Sequence, residues 1–288
     1  MKFLKFVVFN LIVFITVTSC SNDNEAIKET ETLTNPSEYY ESLNISYGDD
    51  INQVFDLYLP ANRTTDTKTI ILVHGGGWSS GDKSDMNSFR DILLKDFPNT
   101  AIANINYRLA GTDTSPYPMQ INDITKVVNH LKTNQSKYII SNNLGFIGVS
   151  AGAHLSLLWS YAFDTENQVN MVCSVVGPTN FTDPAYLDAS PLVKPLIDLF
   201  GINPEVSFLE EVSPYHQAKT TSPPTILFYG GQDPLIPTTQ GTAMRDKLTS
   251  LGVTHEFTLY PDAGHGWAGI ELIDTWTKLK TFIQRHLI

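Results

Sequence analysis

An apolar run from Leu144 to Ile147 leads straight into Gly148-Val149-Ser150-Ala151-Gly152, and a helical pattern follows at once. A serine in G-x-S-x-G at a strand-to-helix junction sits on a sharp turn above the carboxyl end of a strand. That commits the surrounding chain to strand–turn–helix units. The glycines follow from crowding, because a Cβ at either position would press on the turn or on a group approaching the serine. Ser150 is therefore the candidate nucleophile.

Strand and helix patterns alternate through the rest of the chain. Strands are predicted at about 69–73, 101–107, 144–149, 171–176, 225–229 and 255–260, and helices near 85–96, 119–134, 151–163, 240–250 and 270–286. In the last helix Ile270, Ile273, Trp276, Leu279, Phe282 and Ile283 recur at spacings of three and four, which predicts one buried face. Ahead of these, 44–47 and 54–59 read as an antiparallel hairpin at a sheet edge. The expected fold class is α/β: a mostly parallel central sheet with an antiparallel edge hairpin, helices on both faces, and ligands at the carboxyl ends of the strands. No repeat of fixed period divides the sequence. Its 288 residues, 42% hydrophobic, are enough for one large core.

The strand Thr69–Val73 runs into His74-Gly75-Gly76-Gly77-Trp78. Three consecutive glycines suit a backbone that must come close to something, and an oxyanion is the natural occupant. The N–H groups of Gly76 and Gly77, with that of Ala151, are the candidate donors, and Trp78 N–H is an alternative. Each such donor is typically worth ~3–4 kcal/mol in acyl transfer. Neither a P-loop Lys-Ser/Thr pair nor G-x-G-x-x-G spacing is present.

A serine needs a base held in one tautomer by a carboxylate. His265, in Asp262-Ala263-Gly264-His265-Gly266-Trp267, occupies a glycine-flanked loop after a strand. His74 is read as a brace for the glycine loop and His154 as a packing residue. His130, His216, His255 and His286 have no motif around them. Asp233 follows the strand that ends in Gly230-Gly231, between serine and histidine in chain order. The order Ser150, Asp233, His265 belongs to one hydrolase architecture. Asp262 is read as a turn former, and Asp123 and Asp183 as cap or turn residues.

With those residues in view, the chain resembles the α/β-hydrolases of the esterase/lipase group that carry HGGGW, close to bacterial carboxylesterases of the acetyl and feruloyl esterase type. The resemblance runs from about residue 43 to 288 through VHGGGWSSGDK (73–83), NINYRL (104–109), YPMQINDITKVVNHL (117–131), GVSAGAHL (148–155), FYGGQDPLIP (228–237) and YPDAGHGW (260–267). It implies a serine hydrolase working through a Ser-Asp-His triad, with no cofactor and no metal. Ala153 stands where many relatives have glycine.

Residues 1–19 begin Met-Lys-Phe-Leu-Lys and continue apolar to Val17, which reads as a signal peptide. Ser19-Cys20 resembles a bacterial lipobox, so Cys20 is the candidate lipidation site. The polar stretch 20–42 reads as a tether, and 43–288 as the catalytic domain. The expected location is exported and lipid-anchored in the cell envelope of a Gram-negative bacterium, with membrane contact through the anchor alone. Lys and Arg number 19 against 30 Asp and Glu, a net charge of -11 that disfavours nucleic acid. With Cys20 acylated, Cys173 is left alone in a strand pattern as a small core residue.

The proline-rich interval 177–224 is expected to form a small cap, with Tyr186, Leu196, Phe200 and Phe208 as candidates for substrate contact. The expected substrate is a small-molecule or oligosaccharide ester, such as an acetyl or feruloyl ester of a plant polysaccharide. The competing readings are a formamidase- or peptidase-type reaction on the same triad and a catalytically silent binding protein.

Overall fold

The computed structural model describes residues 34–188, 191–201 and 204–288. Eight strands run in chain order as β1 (Tyr40–Ser46), β2 (Val54–Leu59), β3 (Thr69–Val73), β4 (Ala101–Ile105), β5 (Leu144–Val149), β6 (Val169–Val175), β7 (Thr225–Gly230) and β8 (His255–Tyr260). The helices are α1 (Asn87–Asp96), α2 (Met119–Thr133), α3 (Gln135–Tyr138), α4 (Ala151–Leu158), α5 (Pro184–Leu187), α6 (Lys194–Asp198), α7 (Val206–Glu211), α8 (Pro214–Gln217), α9 (Thr238–Leu251) and α10 (Ile270–His286). A 3-10 turn, Lys83–Met86, leads into α1, and α4 continues as a π-helical turn, Trp159–Phe163.

The sheet order is β1-β2-β4-β3-β5-β6-β7-β8. β1 and β2 pair antiparallel, β2 is antiparallel to β4, and every later pairing is parallel. This is the open α/β-hydrolase sheet. Parallel strands covered on both faces read as near-continuous apolar runs, and side chains alternate between the two faces. In β3, Ile71 and Val73 enter one core cluster while Ile70 and Leu72 enter the other. The first cluster holds the apolar stripe of α2 (Ile121, Ile124, Val127, Val128, Leu131) with Leu155 of α4 and Met244 of α9. The second holds Leu93 of α1 and Leu279, Phe282 and Ile283 of α10. Cys173 belongs to this second core, where burial pushes its thiol up and keeps it protonated.

Four expectations are corrected. β1 starts at Tyr40, inside the stretch read as tether. Thr34 already donates to Lys137 O from both N–H and Oγ1, and Arg63 N–H donates to Pro36 O, so residues 34–42 are held against the domain. The stretch read as a signal peptide, and Cys20, lie outside the described residues. β4 ends at Ile105 rather than 107, which frees Tyr107 to act below the glycine loop. In α10 the buried face begins only at Thr275: Ile270 and Ile273 are 71% and 63% exposed, and Ile273 borders an open groove with Phe89 and Ile92. Asp123 is neither cap nor turn. It is fully buried on α2, bound to Arg108 at 2.6 Å and to Gln53 Nε2 at 2.7 Å.

Candidate active site

Ser150 is the first residue after β5 and carries φ 53°, ψ -119°, a conformation that an L-residue holds only under constraint. The constraint is visible on both sides. Ser150 N–H donates to Val175 O at 2.8 Å, and Ser150 O accepts from His154 N–H at 3.1 Å to open α4. The glycines of the turn answer to close backbone approach. A Cβ on Gly148 would lie 2.4 Å from Gly152 O, and one on Gly152 would lie 2.2 Å from Val73 O. Both clashes are with the backbone of the turn and of β3, so the motif is set by packing of the elbow itself.

β5 and β7 are separated by β6, and β8 lies beyond β7. Loops from their carboxyl ends converge. Ser150 Oγ–H donates to His265 Nε2 at 2.9 Å, and His265 Nδ1–H donates to Asp233 Oδ2 at 2.7 Å. Asp233 is held by its other oxygen, which accepts Leu235 N–H at 2.8 Å and Ile236 N–H at 3.0 Å. Its side chain is 1% exposed and that of His265 is 25% exposed, so the histidine is reachable while the carboxylate is not. Gln232 N–H donates to Ala263 O at 2.8 Å and Gly231 N–H to Tyr260 O at 2.8 Å, which ties the aspartate loop to the histidine loop. Asp262 lies in the exposed turn ahead of His265.

β3 is the other neighbour of β5, so the glycine loop lies beside the serine. Gly76 and Gly77 have φ 109° and 56°, values open to glycine, and the following Trp78 is drawn into the same region at 62°. Among the described residues, the N–H groups of Gly76, Gly77, Trp78 and Ala151 have no protein acceptor. Ala151 opens α4, where the aligned peptide dipoles add positive character.

The loop is braced by His74 and His154 together with two residues that carried no motif, Tyr107 and Gln120. His74 Nδ1–H donates to Gly75 O at 2.7 Å, and its ring stacks on Tyr107 at 4.2 Å. Tyr107 donates its hydroxyl to His74 O at 2.8 Å. Gln120 is fully buried and donates from Nε2 to Trp78 O at 2.7 Å and Arg108 O at 2.8 Å. Trp78 Nε1–H donates to His154 Nδ1 at 3.1 Å, and His154 Nε2–H donates to Val212 O at 2.8 Å. Burial lowers the pKa of both histidines, that of His154 to about 4, so each stays neutral. The one signal for Gln120 in the sequence was a polar side chain on the apolar stripe of α2. His74 and His154 brace and pack as expected, and Asp183 caps α5 by accepting Ala185 N–H at 2.9 Å.

A cavity of about 580 Å³ opens over Ser150 and His265. Gly75–Trp78 and Met86, Phe89 and Val149 form its floor and sides; Pro178, Tyr186, Val193 and Leu196 come from the cap. Of the four cap residues expected at the substrate, Tyr186 and Leu196 border it. Phe200 packs on Trp78 with centroids 5.0 Å apart, and Phe208 packs on Tyr117 at 5.9 Å, so both are spent on packing. Among the described residues there is no His/Cys/Asp/Glu group that could hold a metal ion.

The BD-FAE family model matches residues 55–248. Esterase LipC of Mycobacterium tuberculosis is 23% identical over 248 residues, which covers 80% of this chain and 60% of that protein. Among solved structures, a bifunctional GH43-CE of Bacteroides eggerthii has a TM-score of 0.75 at 23% identity, covering 86% of this chain and 38% of the other. A truncated carbohydrate esterase from gut microbiota has a TM-score of 0.69 at 21% identity, covering 87% and 99%. The chain thus spans less than two thirds of the length of the first two, and the structural likeness is one of fold. The match of the family model, running from β2 into α9 across both the glycine loop and the serine elbow, means that the chain belongs to the BD-FAE family.

Proposed function

We propose that this protein is a serine carboxylesterase that removes short acyl groups through an acyl-enzyme. The observation that carries the reading is the continuous hydrogen-bonded line from Ser150 Oγ through His265 to a buried Asp233, open to a cavity at its serine end. In the first step Ser150 Oγ attacks the ester carbonyl while its proton passes to His265 Nε2. Asp233 holds the other ring nitrogen protonated and steadies the imidazolium. The developing oxyanion lies against the N–H groups of Gly76, Gly77 and Ala151. The imidazolium then protonates the leaving alcohol, and water repeats the sequence on the acyl-serine.

Short acyl groups are supported by the roof. A Cβ on Gly77 would lie 2.7 Å from Leu196 Cδ2, so this side chain closes the space beside the glycine loop. Each buried methylene is worth only ~0.8 kcal/mol, and long chains gain little without a deep slot. The esterase and carbohydrate esterase names among the similar proteins support a carbohydrate ester as substrate, and an acetyl or feruloyl ester of a plant polysaccharide is the form this reading takes. With nitrophenyl esters, kcat/KM should peak at about two to four carbons. An optimum at about eight carbons or longer points to a lipase-like slot and ends the short-acyl reading. Labelling of Ser150 by a fluorophosphonate separates a working esterase from a silent binding protein.

Export and lipid anchoring belong to the same proposal, resting on Ser19-Cys20 after the apolar stretch. Intact-mass analysis of the mature protein should find Cys20 at its amino terminus with added acyl mass, and Cys20→Ala should abolish detergent-phase partitioning. A different mature terminus, or Cys20 without acyl mass, rejects it.

A further inference from the structure

Tyr186 on α5 is 1% exposed and borders the same cavity as Ser150 and His265, yet among the described residues its hydroxyl makes no hydrogen bond. Other buried tyrosines are paired. Tyr107 donates to His74 O at 2.8 Å, Tyr229 to Gly177 O at 2.6 Å, and Tyr161 meets Thr225 Oγ1 at 2.7 Å. Unlike Thr69 Oγ1 or Ser174 Oγ, which are enclosed and unpaired among the described residues, the Tyr186 hydroxyl opens to the cleft, where it can be satisfied by what the cleft binds.

The residue is held in place. Gln240, fully buried on α9, accepts Thr179 N–H and Asn180 N–H on Oε1 and donates from Nε2 to Asn180 O and Asp183 Oδ2. Asp183 in turn caps α5, and the Tyr186 ring stacks on Phe181 with centroids 5.7 Å apart. The phenol is thus fixed before anything binds. Burial first, and the Asp233 carboxylate second, push its pKa up, so the hydroxyl stays protonated and can donate as well as accept. Tyr186 lines the cavity together with Leu235 and Ile236 of the Asp233 loop and with His265, which returns a proton to the departing oxygen.

We propose that the Tyr186 hydroxyl binds an oxygen of the substrate's alcohol half, so that the site selects esters of polyhydroxylated alcohols, sugars above all, over hydrocarbon esters of the same shape. This rests on the esterase reading above. The test compares a monoacetylated methyl xyloside with cyclohexyl acetate, two six-membered secondary acetates that differ in their oxygens. The wild-type protein should favour the xyloside in kcat/KM, and Tyr186→Phe should shrink that preference about five- to ten-fold, the size of one hydrogen bond. A wild-type protein that treats the two alike, or a Tyr186→Phe variant that keeps the full preference, overturns the proposal and leaves the esterase reading standing. The wild-type comparison needs no variant to fold. Hydrolysis of neither acetate by wild-type protein overturns both.

Discussion

Replacing Asp233 with Asn tests the site through one proton. Leu235 N–H and Ile236 N–H both reach Oδ1, at 2.8 and 3.0 Å, so in the variant the amide oxygen stays there and the NH2 faces His265 Nδ1. Nδ1 must then accept, and the ring proton moves to Nε2, the nitrogen that should take the serine proton. Turning the amide over would set NH2 against two backbone donors in a place where the side chain is 1% exposed. That forfeits two hydrogen bonds at ~1–3 kcal/mol each. The resulting ~2–6 kcal/mol against the productive tautomer is roughly 30-fold to 10^4-fold in rate. Loss of the charge that steadies the imidazolium adds to it, so kcat for nitrophenyl acetate should fall by about 10^4. The side-chain volume is conserved, so thermal melting should move by only about 2 °C. A variant that melts like wild type and keeps kcat within about tenfold of it would refute the claim that Asp233 sets the tautomer.

Ser150→Ala or His265→Ala should lower kcat by roughly 10^4 or more with the fold kept, and retention of more than about a tenth of the activity would misassign the nucleophile or base. Because Ser150 holds φ 53°, ψ -119°, Ser150→Gly should be inactive yet more stable than Ser150→Ala by about 1 kcal/mol, a rise of ~2–4 °C in Tm; an equal or lower Tm would show that the elbow is not strained. Gly152→Ala places a Cβ 2.2 Å from Val73 O and 2.3 Å from His74 O and should cost about 3 kcal/mol or more, so a melting curve like that of wild type contradicts the packing account. His154 has its pKa lowered by burial from 6.5 to about 4 in the folded state, so the unfolded chain takes the proton first. Stability is therefore full above about pH 6.5 and declines by about 3 kcal/mol as pH falls to about 4. His154→Gln should flatten that decline in melts between pH 7 and 4.5, and an unchanged slope would assign it to other groups.

Much of the architecture was legible because parallel strands buried on both faces are almost wholly apolar, as Ile70–Val73 and Ile226–Gly230 are. The candidate triad was legible for a related reason. Ser150, Asp233 and His265 each follow a strand within a few residues, so locating the strands nearly located the residues. Helical periodicity told less. It grouped Ile270 and Ile273 with Leu279 and Ile283 on one face of α10, but whether a neighbour covers that face along its whole length is a property of the assembled sheet.

The strand and helix alternation, the elbow around Ser150, the glycine loop and the chain order of serine, aspartate and histidine are all written locally along the chain. These rest on local rules of periodicity, steric crowding and turn geometry, which act within a few residues. Folding brings about the rest: Asp123 is buried against Arg108, Gln120 and His154 grip Trp78 from α2 and α4, residues 34–42 lie against the domain, and Tyr186 borders the cavity with its hydroxyl unpaired. Each is a meeting of side chains or backbone groups distant in sequence, and a polar group's partner is set by what folding brings within about 3 Å of it.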